Sequence, residues 1–273
     1  MKIVILMEDS EVQSGLFYEH GFSVYVETES TKILVDAGAS DKTWENAKKL
    51  GIDIESVDHL FLSHGHYDHS GGIMGFAGIN PAAPIYMHPK AVLDYYNLRD
   101  GNEKYIGIDK AICKLARVQY LSENRKIDEQ ISVFCDATGR RKWPGSNLIL
   151  KKKENGIFVQ DSFDHEQYVV VSESGKTVLI SGCAHNGILN ILDRFREVYG
   201  CDPDVVISGF HMMKRGDYEE DEKTLIADIA EELVQTDIQF YTGHCTSRAA
   251  YEIMKPVMGD QIVYVHAGQQ III

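Results

Sequence analysis

Four side chains that commonly bind metal ions lie within six residues of this chain, in the segment His64-Gly65-His66-Tyr67-Asp68-His69. An apolar run precedes the segment, so we expect a buried strand that ends where the segment begins. Alternate residues of an extended chain point to the same side, which lets His64 and His66 bind one ion together. Asp68 and His69 would turn toward a neighbouring point. Because imidazole and carboxylate groups suit zinc, manganese and iron, the segment predicts a metal site rather than a solvated polar loop.

Three later apolar runs end in a common pattern, with a small residue, a glycine and then a histidine within a few positions. In open α/β sheets, ligands bind beyond the carboxyl ends of the strands, so we expect these histidines at one edge with the first cluster. One such histidine alone would more often be structural, but three with the same pattern favour at least two metal ligands. The histidines and the runs before them are His185 after 177–180, His211 after 204–207 and His244 after 238–241.

The spacing of apolar residues predicts a mixed α/β fold. In the N-terminal third, residues 22–28 and 32–36 are typical of the two strands of a hairpin. In the C-terminal half, apolar strands alternate with helical patterns at 188–199 and 219–235. Asn186 is placed to cap the first of these helices. Strands that alternate with amphipathic helices indicate layers of sheet and helix around a common core.

The composition is that of an ordinary globular protein, with 44% hydrophobic and 25% charged residues. We expect one domain over residues 1–273, in which residues 90–130, a stretch of weak periodicity, form an insertion or a lid. The chain has 27 basic and 41 acidic side chains, a formal net charge of −14. Such a charge repels phosphate backbones and anionic lipids, which disfavours nucleic acid and membranes as partners. The basic run Lys151–Lys153 is expected to be a solvated turn.

The cysteines indicate the compartment. Five of them are scattered along the chain without a C-x-x-C pair, a poor disulfide framework that is typical of reducing compartments. The apolar run at the N-terminus is too short for a signal peptide, and no run approaches the roughly 20 residues that span a bilayer. These features predict a cytoplasmic protein.

Together, these motifs resemble those of the metallo-β-lactamase superfamily. The pattern His64-x-His66-x-Asp68-His69 after an apolar strand is similar to its metal-binding signature, and Asp36 is similar to the strand-ending aspartate that supports the metal loop. The resemblance implies an αββα sandwich of two mixed sheets with helices on the outer faces. The segments that more narrowly resemble a subgroup named after a dihydropterin ribofuranosyl-aminobenzene phosphate synthase are 19–21, 63–72, 182–187, 209–211 and 244–246.

The resemblance also implies a centre of two divalent metal ions, zinc in the first place, with manganese or iron as alternatives. In most hydrolases of the superfamily an aspartate of a Ser/Thr-Gly-Asp turn bridges the two ions, but here Cys183 follows Gly182. His185 is then expected to reach in as the missing ligand, with the Cys183 thiolate as its rival. The implied ligands are His64, His66 and His185 for one ion and Asp68, His69 and His244 for the other.

Catalytic or supporting roles are expected for four residues, Asp68, His211, Asp36 and His20. Asp68 would also accept a hydrogen bond from the metal-bound hydroxide and aim it at the substrate. His211 would donate a proton to the leaving group or support the ligands, and Asp36 would orient a ligand histidine. His20, which lies just before a predicted strand, would face the site or remain outside it.

These inferences lead to three functional hypotheses. The first is a metal-dependent hydrolase of a small anionic substrate, most simply a phosphoester, because two dications dominate the local field even in an acidic protein. The second is a pterin-type synthase or transferase that uses a phosphoribosyl donor. The third is a module without hydrolytic activity, either an iron redox protein or a ligand sensor, which the missing bridging aspartate would explain.

Overall fold

The computed structural model describes residues 1–11 and 15–273. In these ranges two seven-stranded sheets pack face to face, and helices cover their outer faces. Both sheets contain parallel and antiparallel pairs, so the predicted αββα sandwich of two mixed sheets is confirmed. A third sheet of four strands, which the sequence did not predict, completes the described fold.

The first sheet carries the N-terminal hairpin and the strand before the histidine segment. Its strands are β1 (Lys2–Met7), β2 (Ser23–Glu27), β3 (Lys32–Val35), β4 (His59–Phe61), β5 (Ile85–Met87), β8 (Val118–Tyr120) and β18 (Gln270–Ile272). They lie in the order β18-β1-β2-β3-β4-β5-β8. The β2–β3 pair is antiparallel, as the predicted hairpin requires, whereas β3, β4, β5 and β8 run parallel.

The second sheet carries the other three histidine-bearing strand ends. Its strands are β9 (Arg125–Lys126), β10 (Ile131–Cys135), β13 (Gln167–Glu173), β14 (Lys176–Ile180), β15 (Val205–Ser208), β16 (Gln239–Thr242) and β17 (Ile262–Tyr264). They lie in the order β17-β16-β15-β14-β13-β10-β9. The strands β14 to β17 are parallel, so their carboxyl ends meet at one edge.

Helices cover the outside of the sandwich, and apolar side chains fill its interior. The helices are α1 (Lys42–Lys49), α2 (Tyr67–Ser70), α3 (Ile73–Ile79), α4 (Ile188–Tyr199), α5 (Glu220–Leu233) and α6 (Arg248–Met258). Between the sheets, Ile5 and Phe61 meet Val169 and Ile207, all fully buried. In the described ranges, no helix has the length and apolar character that a bilayer crossing requires.

The small sheet is formed by β6 (Tyr95–Arg99), β7 (Asn102–Tyr105), β11 (Leu150–Glu154) and β12 (Ile157–Gln160). The expectation of a solvated turn at Lys151–Lys153 was wrong, because these residues form part of β11 and pair with β12 and β6. Residues 95–105 lie in this sheet, whereas residues 118–120 belong to the first sheet. That residues 90–130 act as an insertion or a lid stays a prediction.

Candidate metal centre

The carboxyl ends of four strands bring four histidines to one edge of the sandwich. His64 follows β4, His185 follows β14, His211 follows β15 and His244 follows β16. The rings of His64 and His185 lie 4.8 Å apart, and those of His185 and His211 lie 4.0 Å apart, measured between centroids. His69, in α2, lies 5.0 Å from His244 by the same measure. The structure thus places the histidines where the strand-end pattern predicted.

Four residues at this edge have a strained backbone conformation. Asp36, Ala184, His211 and His244 have φ angles of 64°, 54°, 48° and 50°, in the left-handed region that favours glycine. Such a conformation costs about 1–3 kcal/mol for a residue with a Cβ atom, and it is common in functional sites. The fold therefore holds these side chains in place at an energetic cost.

The first group of donor atoms contains His64, His185 and Cys183, and the ring of His66 lies beside it. The Nε2 atoms of His64 and His185 are 3.3 Å apart, and the Sγ atom of Cys183 lies in the same small volume. The ring of His66 is 4.6 Å from that of His64 and 4.8 Å from that of His185. All four side chains are buried. The three histidines predicted for one ion are therefore adjacent.

The second group contains Asp68, His69, His244 and again Cys183. The Nε2 atom of His69 lies 3.2 Å from Nε2 of His244 and 3.0 Å from Sγ of Cys183. The Oδ2 atom of Asp68 is 3.7 Å from Nε2 of His69 and 3.4 Å from Nε2 of His244. The three residues predicted for the other ion thus converge, and Cys183 lies between both groups.

Hydrogen bonds on the far side of each ring fix the tautomers of the second group. The Nδ1 atom of His69 is 2.6 Å from Asp36 Oδ2, and that of His244 is 2.6 Å from Asp9 Oδ1. Because an ionised carboxylate only accepts hydrogen bonds, each Nδ1 carries a proton and each Nε2 presents a lone pair. These two carboxylates orient the rings of His69 and His244, as carboxylates beside metal-binding histidines commonly do.

Hydrogen bonds also fix the tautomers of His64 and His185 in the first group. The Nδ1 atom of His185 is 2.9 Å from Asn147 Oδ1, an acceptor. The Ser63 hydroxyl donates to Asp36 over 2.7 Å, so it accepts from Nδ1 of His64 at 2.8 Å. Both Nε2 atoms are therefore unprotonated where they face each other.

Facing lone pairs repel each other unless a positive charge lies between them. Burial, together with the neighbouring imidazoles, holds the pKa of His64 and of His185 well below the usual value, so neither supplies a proton. Burial and His165 also lower the pKa of His66, to about 3, and its buried Nε2 has no hydrogen-bond partner among the described residues. Neutral, unpartnered imidazoles are the form that binds metal, so the donor set fits divalent cations.

The second group carries the negative charge. Burial alone would raise the pKa of Asp68, but the imidazoles of His69, His244 and His20 hold it well below its usual value. Burial alone would lower the pKa of His244, but Asp9 and Asp68 raise it well above its usual value. The carboxylates thus favour a cation in this part of the site.

Cys183 occupies the position that the missing bridging aspartate leaves open. Its Sγ atom belongs to both groups and also lies near His211 and Cys245. Burial raises the pKa of this thiol well above its usual value, so only a bound cation would keep it as a thiolate. The structure thus brings both rivals, His185 and Cys183, to the centre.

The two remaining predicted residues, His20 and His211, also lie at the site. The Nε2 atom of His20 is 3.3 Å from Asp68 Oδ2, and its Nδ1 atom is 2.8 Å from Asp9 Oδ2. His20 therefore faces the site. The Nδ1 atom of His211 is buried without a hydrogen-bond partner among the described residues, and its side chain lines the cavity above the centre.

Three supporting residues were missed by the sequence reasoning. Asp9 and Glu8 follow β1 directly, and Glu8 accepts a hydrogen bond from the backbone N–H of His244 over 2.7 Å. Two acidic residues after a buried apolar strand were a usable signal, since they repeat the strand-end pattern of the histidines. Asn147 lies in the 3-10 helix Gly145–Ile149 and had no such signal.

Glu166 is a fourth missed residue, and it corrects the role of Asn186. Its buried carboxylate accepts hydrogen bonds from the backbone N–H groups of His185 and Asn186 over 2.6 and 3.0 Å and from the Tyr168 hydroxyl over 2.8 Å. The prediction that Asn186 caps the helix 188–199 was wrong, because its side chain donates to Glu166 instead. Glu166 and Asn186 together fix the loop that carries Cys183 and His185.

The centre opens into a cavity of about 270 Å³. His20, His66, Asp68, Cys183, His185 and His211 line it. Four cationic side chains also line it, Arg99 and Lys104 from the small sheet and Lys214 and Arg215 from the loop after β15. The cavity wall is therefore basic although the chain as a whole is acidic.

A family model described as the metallo-beta-lactamase superfamily matches residues 18–233. The chain belongs to the metallo-β-lactamase superfamily. The superfamily that the motifs resembled is therefore confirmed. This range includes the histidine segment, the loops 182–185 and 209–211 and helix α5, but it ends before His244.

Individual relatives agree with this assignment. A crystal structure described as a metal-dependent hydrolase of the beta-lactamase superfamily is 29% identical, covers 100% of this chain and 99% of its own, and has a TM-score of 0.84. A Methanocaldococcus jannaschii protein named 7,8-dihydropterin-6-methyl-4-(beta-D-ribofuranosyl)-aminobenzene-5'-phosphate synthase is 28% identical over 98% of this chain and 95% of its own length. An uncharacterized protein of that organism is also 28% identical, over 98% of both chains.

More distant structures share the fold alone. A metallo-beta-lactamase fold protein of Bacillus subtilis, YhfI, is 14% identical and covers 98% of this chain and 97% of its own, with a TM-score of 0.59. The relatives therefore establish the fold and the superfamily, and they include one described as a hydrolase and one named as a synthase.

Proposed function

We propose that this protein is a metal-dependent hydrolase of a small anionic substrate, most simply a phosphoester. The observation that carries the proposal is the pair of unprotonated Nε2 atoms, of His64 and His185, that face each other over 3.3 Å beside a second group containing Asp68. The donor set of five histidines, one aspartate and one cysteine suits two divalent ions, with zinc ahead of manganese or iron.

The ions, when bound, would lower the pKa of a water molecule to about 7 and stabilise negative charge on the substrate. Asp68 can accept a hydrogen bond from the attacking water and orient it. His211, which lines the cavity, can donate a proton to the leaving oxygen. His20 would hold the Asp68 carboxylate in position through its Nε2 atom.

The basic wall of the cavity supports an anionic substrate. Arg99, Lys104 and Arg215 form no ion pair with a carboxylate within the residues described, 1–11 and 15–273. An arginine or lysine that lines a cavity without a carboxylate partner is available to a phosphate oxygen. We therefore propose that these side chains attract and hold the substrate.

The test is turnover of bis(4-nitrophenyl) phosphate and 4-nitrophenyl phosphate by protein loaded with zinc or manganese. We expect turnover that a chelator abolishes and that His69→Ala lowers at least about 100-fold. His59→Ala is the matched control, because His59 lies at the start of β4, at the other end of that strand from the centre. No metal-dependent turnover of either ester would contradict the proposal.

A second candidate is a pterin-type synthase that uses a phosphoribosyl donor. The relative named as a synthase favours it, since the similarity covers nearly the whole of both chains. The test is incubation of the metal-loaded protein with phosphoribosyl pyrophosphate, 4-aminobenzoate and a dihydropterin. A coupled product, detected by mass spectrometry together with released pyrophosphate, would support the synthase. The absence of any coupled product would remove it.

We also propose that the protein acts in the cytoplasm. All five cysteines are free thiols, and Cys135, Cys183 and Cys245 are buried. Free thiols are typical of reducing compartments. Cell fractionation with an antibody against the protein would test this proposal.

A further inference from the structure

A second cleft of about 250 Å³ adjoins the cavity of the metal centre. It lies between helix α5, the loop after β15 and the turn at 144–149. Its lining is mostly apolar and includes Met212, Tyr218, Leu225, Ile226 and Ile229. Such a concave apolar surface with a few polar groups is typical of small-molecule binding sites.

The cleft and the cavity form one continuous groove. Arg99, Ser146, Ile149, Met213 and Lys214 line both of them. A molecule in the groove would therefore contact the metal centre at one end, cationic side chains in the middle and apolar side chains at the other end.

Lys214 and Arg99, the two cationic residues that line both the cavity and the cleft, differ in whether a carboxylate neutralises them. Lys214 forms an ion pair of 2.5 Å with Glu222 of α5, a residue that also lines the cleft. Arg99 has no carboxylate partner among the described residues 1–11 and 15–273. Its guanidinium group can therefore bind an anion on one side of the junction and contact an apolar ring on the other.

We propose that this cleft, lined by Met212, Met213, Tyr218, Leu225, Ile226 and Ile229, binds an apolar ring system of the substrate. The proposal rests on the proposed function, because it assigns the part of the substrate that lies away from the bond that breaks. The substrate would then be an amphipathic anion, with its phosphoester at the metal centre. Methionine and aromatic side chains suit a planar ring, because thioethers form favourable contacts with aromatic groups.

The first test compares two diesters with the same leaving group, methyl 4-nitrophenyl phosphate and 2-(1-naphthyl)ethyl 4-nitrophenyl phosphate. We expect kcat/KM to be about tenfold higher for the naphthyl ester, since burial of apolar area favours binding. Leu225→Glu should reduce this ratio to about one. The ratio is informative even if part of the variant is misfolded, because it does not depend on the amount of active enzyme.

Ile157→Glu is the matched control, because Ile157 is an exposed apolar residue of β12 that does not line the cleft. It should keep the tenfold preference. Equal kcat/KM values for the two esters in active wild-type enzyme would overturn the inference and leave the proposed hydrolase intact.

A second measurement separates this inference from the proposed function. The anionic dye 8-anilinonaphthalene-1-sulfonate is titrated against chelator-treated protein, which needs no turnover. We expect Leu225→Glu to weaken dye binding about tenfold and Ile157→Glu to leave it unchanged, even if no ester is hydrolysed. Equal affinity in the wild type and in Leu225→Glu would overturn the inference. The inference would also be overturned if the dye bound in the cleft without competing with the naphthyl ester. The cleft would then bind a ligand other than the substrate.

Discussion

At the residue scale, Cys183 is the candidate ligand that both donor groups share. Its Sγ atom lies 3.0 Å from Nε2 of His69 and close to His64 and His185. We therefore expect Cys183→Ala to lose about one of two bound ions per chain, measured by elemental analysis. Cobalt-loaded wild-type protein should show a thiolate-to-cobalt charge-transfer band that this variant lacks.

The matched control for this prediction is Cys135→Ala, because Cys135 is also buried but lies in β10, away from the centre. Cys183→Asp should restore the second ion, since a carboxylate can bridge in place of a thiolate. Full metal content in Cys183→Ala, with an unchanged cobalt spectrum, would show that Cys183 is only a buried thiol.

Asp9 carries a second prediction at this scale. Its two carboxylate oxygens accept hydrogen bonds from His244 over 2.6 Å and from His20 over 2.8 Å. Removal of a carboxylate that orients a metal ligand commonly costs 10–100-fold in metal affinity. We therefore expect Asp9→Ala to weaken zinc binding by about this factor in a chelator competition assay. Asp260→Ala, at a fully exposed site, should leave the affinity unchanged. An unchanged affinity in a folded Asp9→Ala protein would exclude this role.

At the element scale, the short helix α2 depends on close contact with the loop after β3. A Cβ atom on Gly71 would overlap the carbonyl oxygen of Ala39, whereas one on Gly78, in α3, would meet nothing within 4 Å. We expect Gly71→Ala to destabilise the protein by about 1–3 kcal/mol. Gly78→Ala should be neutral or stabilising by about 0.5–1 kcal/mol, because alanine favours a helix. Urea unfolding measures both, and equal stability of the two variants would contradict the packing argument.

Elements with a strong apolar period were predictable from the sequence. Residues 188–199 and 219–235 were expected to be helical, and the structure has α4 over Ile188–Tyr199 and α5 over Glu220–Leu233. The small sheet was not predicted, because its strands β7 and β11 are polar. They pair with β6 and β12 of the same small sheet rather than with a strand of the two large sheets. The charged run Lys151–Lys153 is typical of a solvated turn, and it forms a strand because it pairs with β12 and β6.

At the scale of the whole molecule, the candidate ligands were predictable because each lies in a segment that follows an apolar strand. Their supports were less predictable, because the contacts join distant parts of the chain. Asp9 and His244 are 235 residues apart, and Asn147 and His185 are 38 residues apart. The sequence around either residue does not indicate such a contact. The basic cavity was also not predicted, because the net charge of −14 is a sum over the whole chain and does not show where basic side chains cluster.

Metal binding should also stabilise the whole fold, because the centre joins both sheets of the sandwich. Histidines after β4 of the first sheet and after β14 and β16 of the second meet around the same donor groups. A ligand at 100 times its Kd stabilises a protein by about 2.7 kcal/mol, which raises Tm by about 5–10 °C for a domain near this size. We therefore expect chelation to lower Tm by this amount, and readdition of zinc to restore it.

The metal content of the same samples, measured before chelation, separates an iron redox module from the hydrolase and the synthase. Two zinc or manganese ions per chain favour the hydrolase or the synthase, whereas iron with visible absorption favours a redox module. In His69→Ala, which lacks a donor of the second group, the chelator should lower Tm by less than in the wild type, whereas His59→Ala should behave as the wild type does. If chelation leaves Tm unchanged in protein that contained two ions, the ions do not join the sheets. The facing imidazoles of His64 and His185 would then need another source of positive charge.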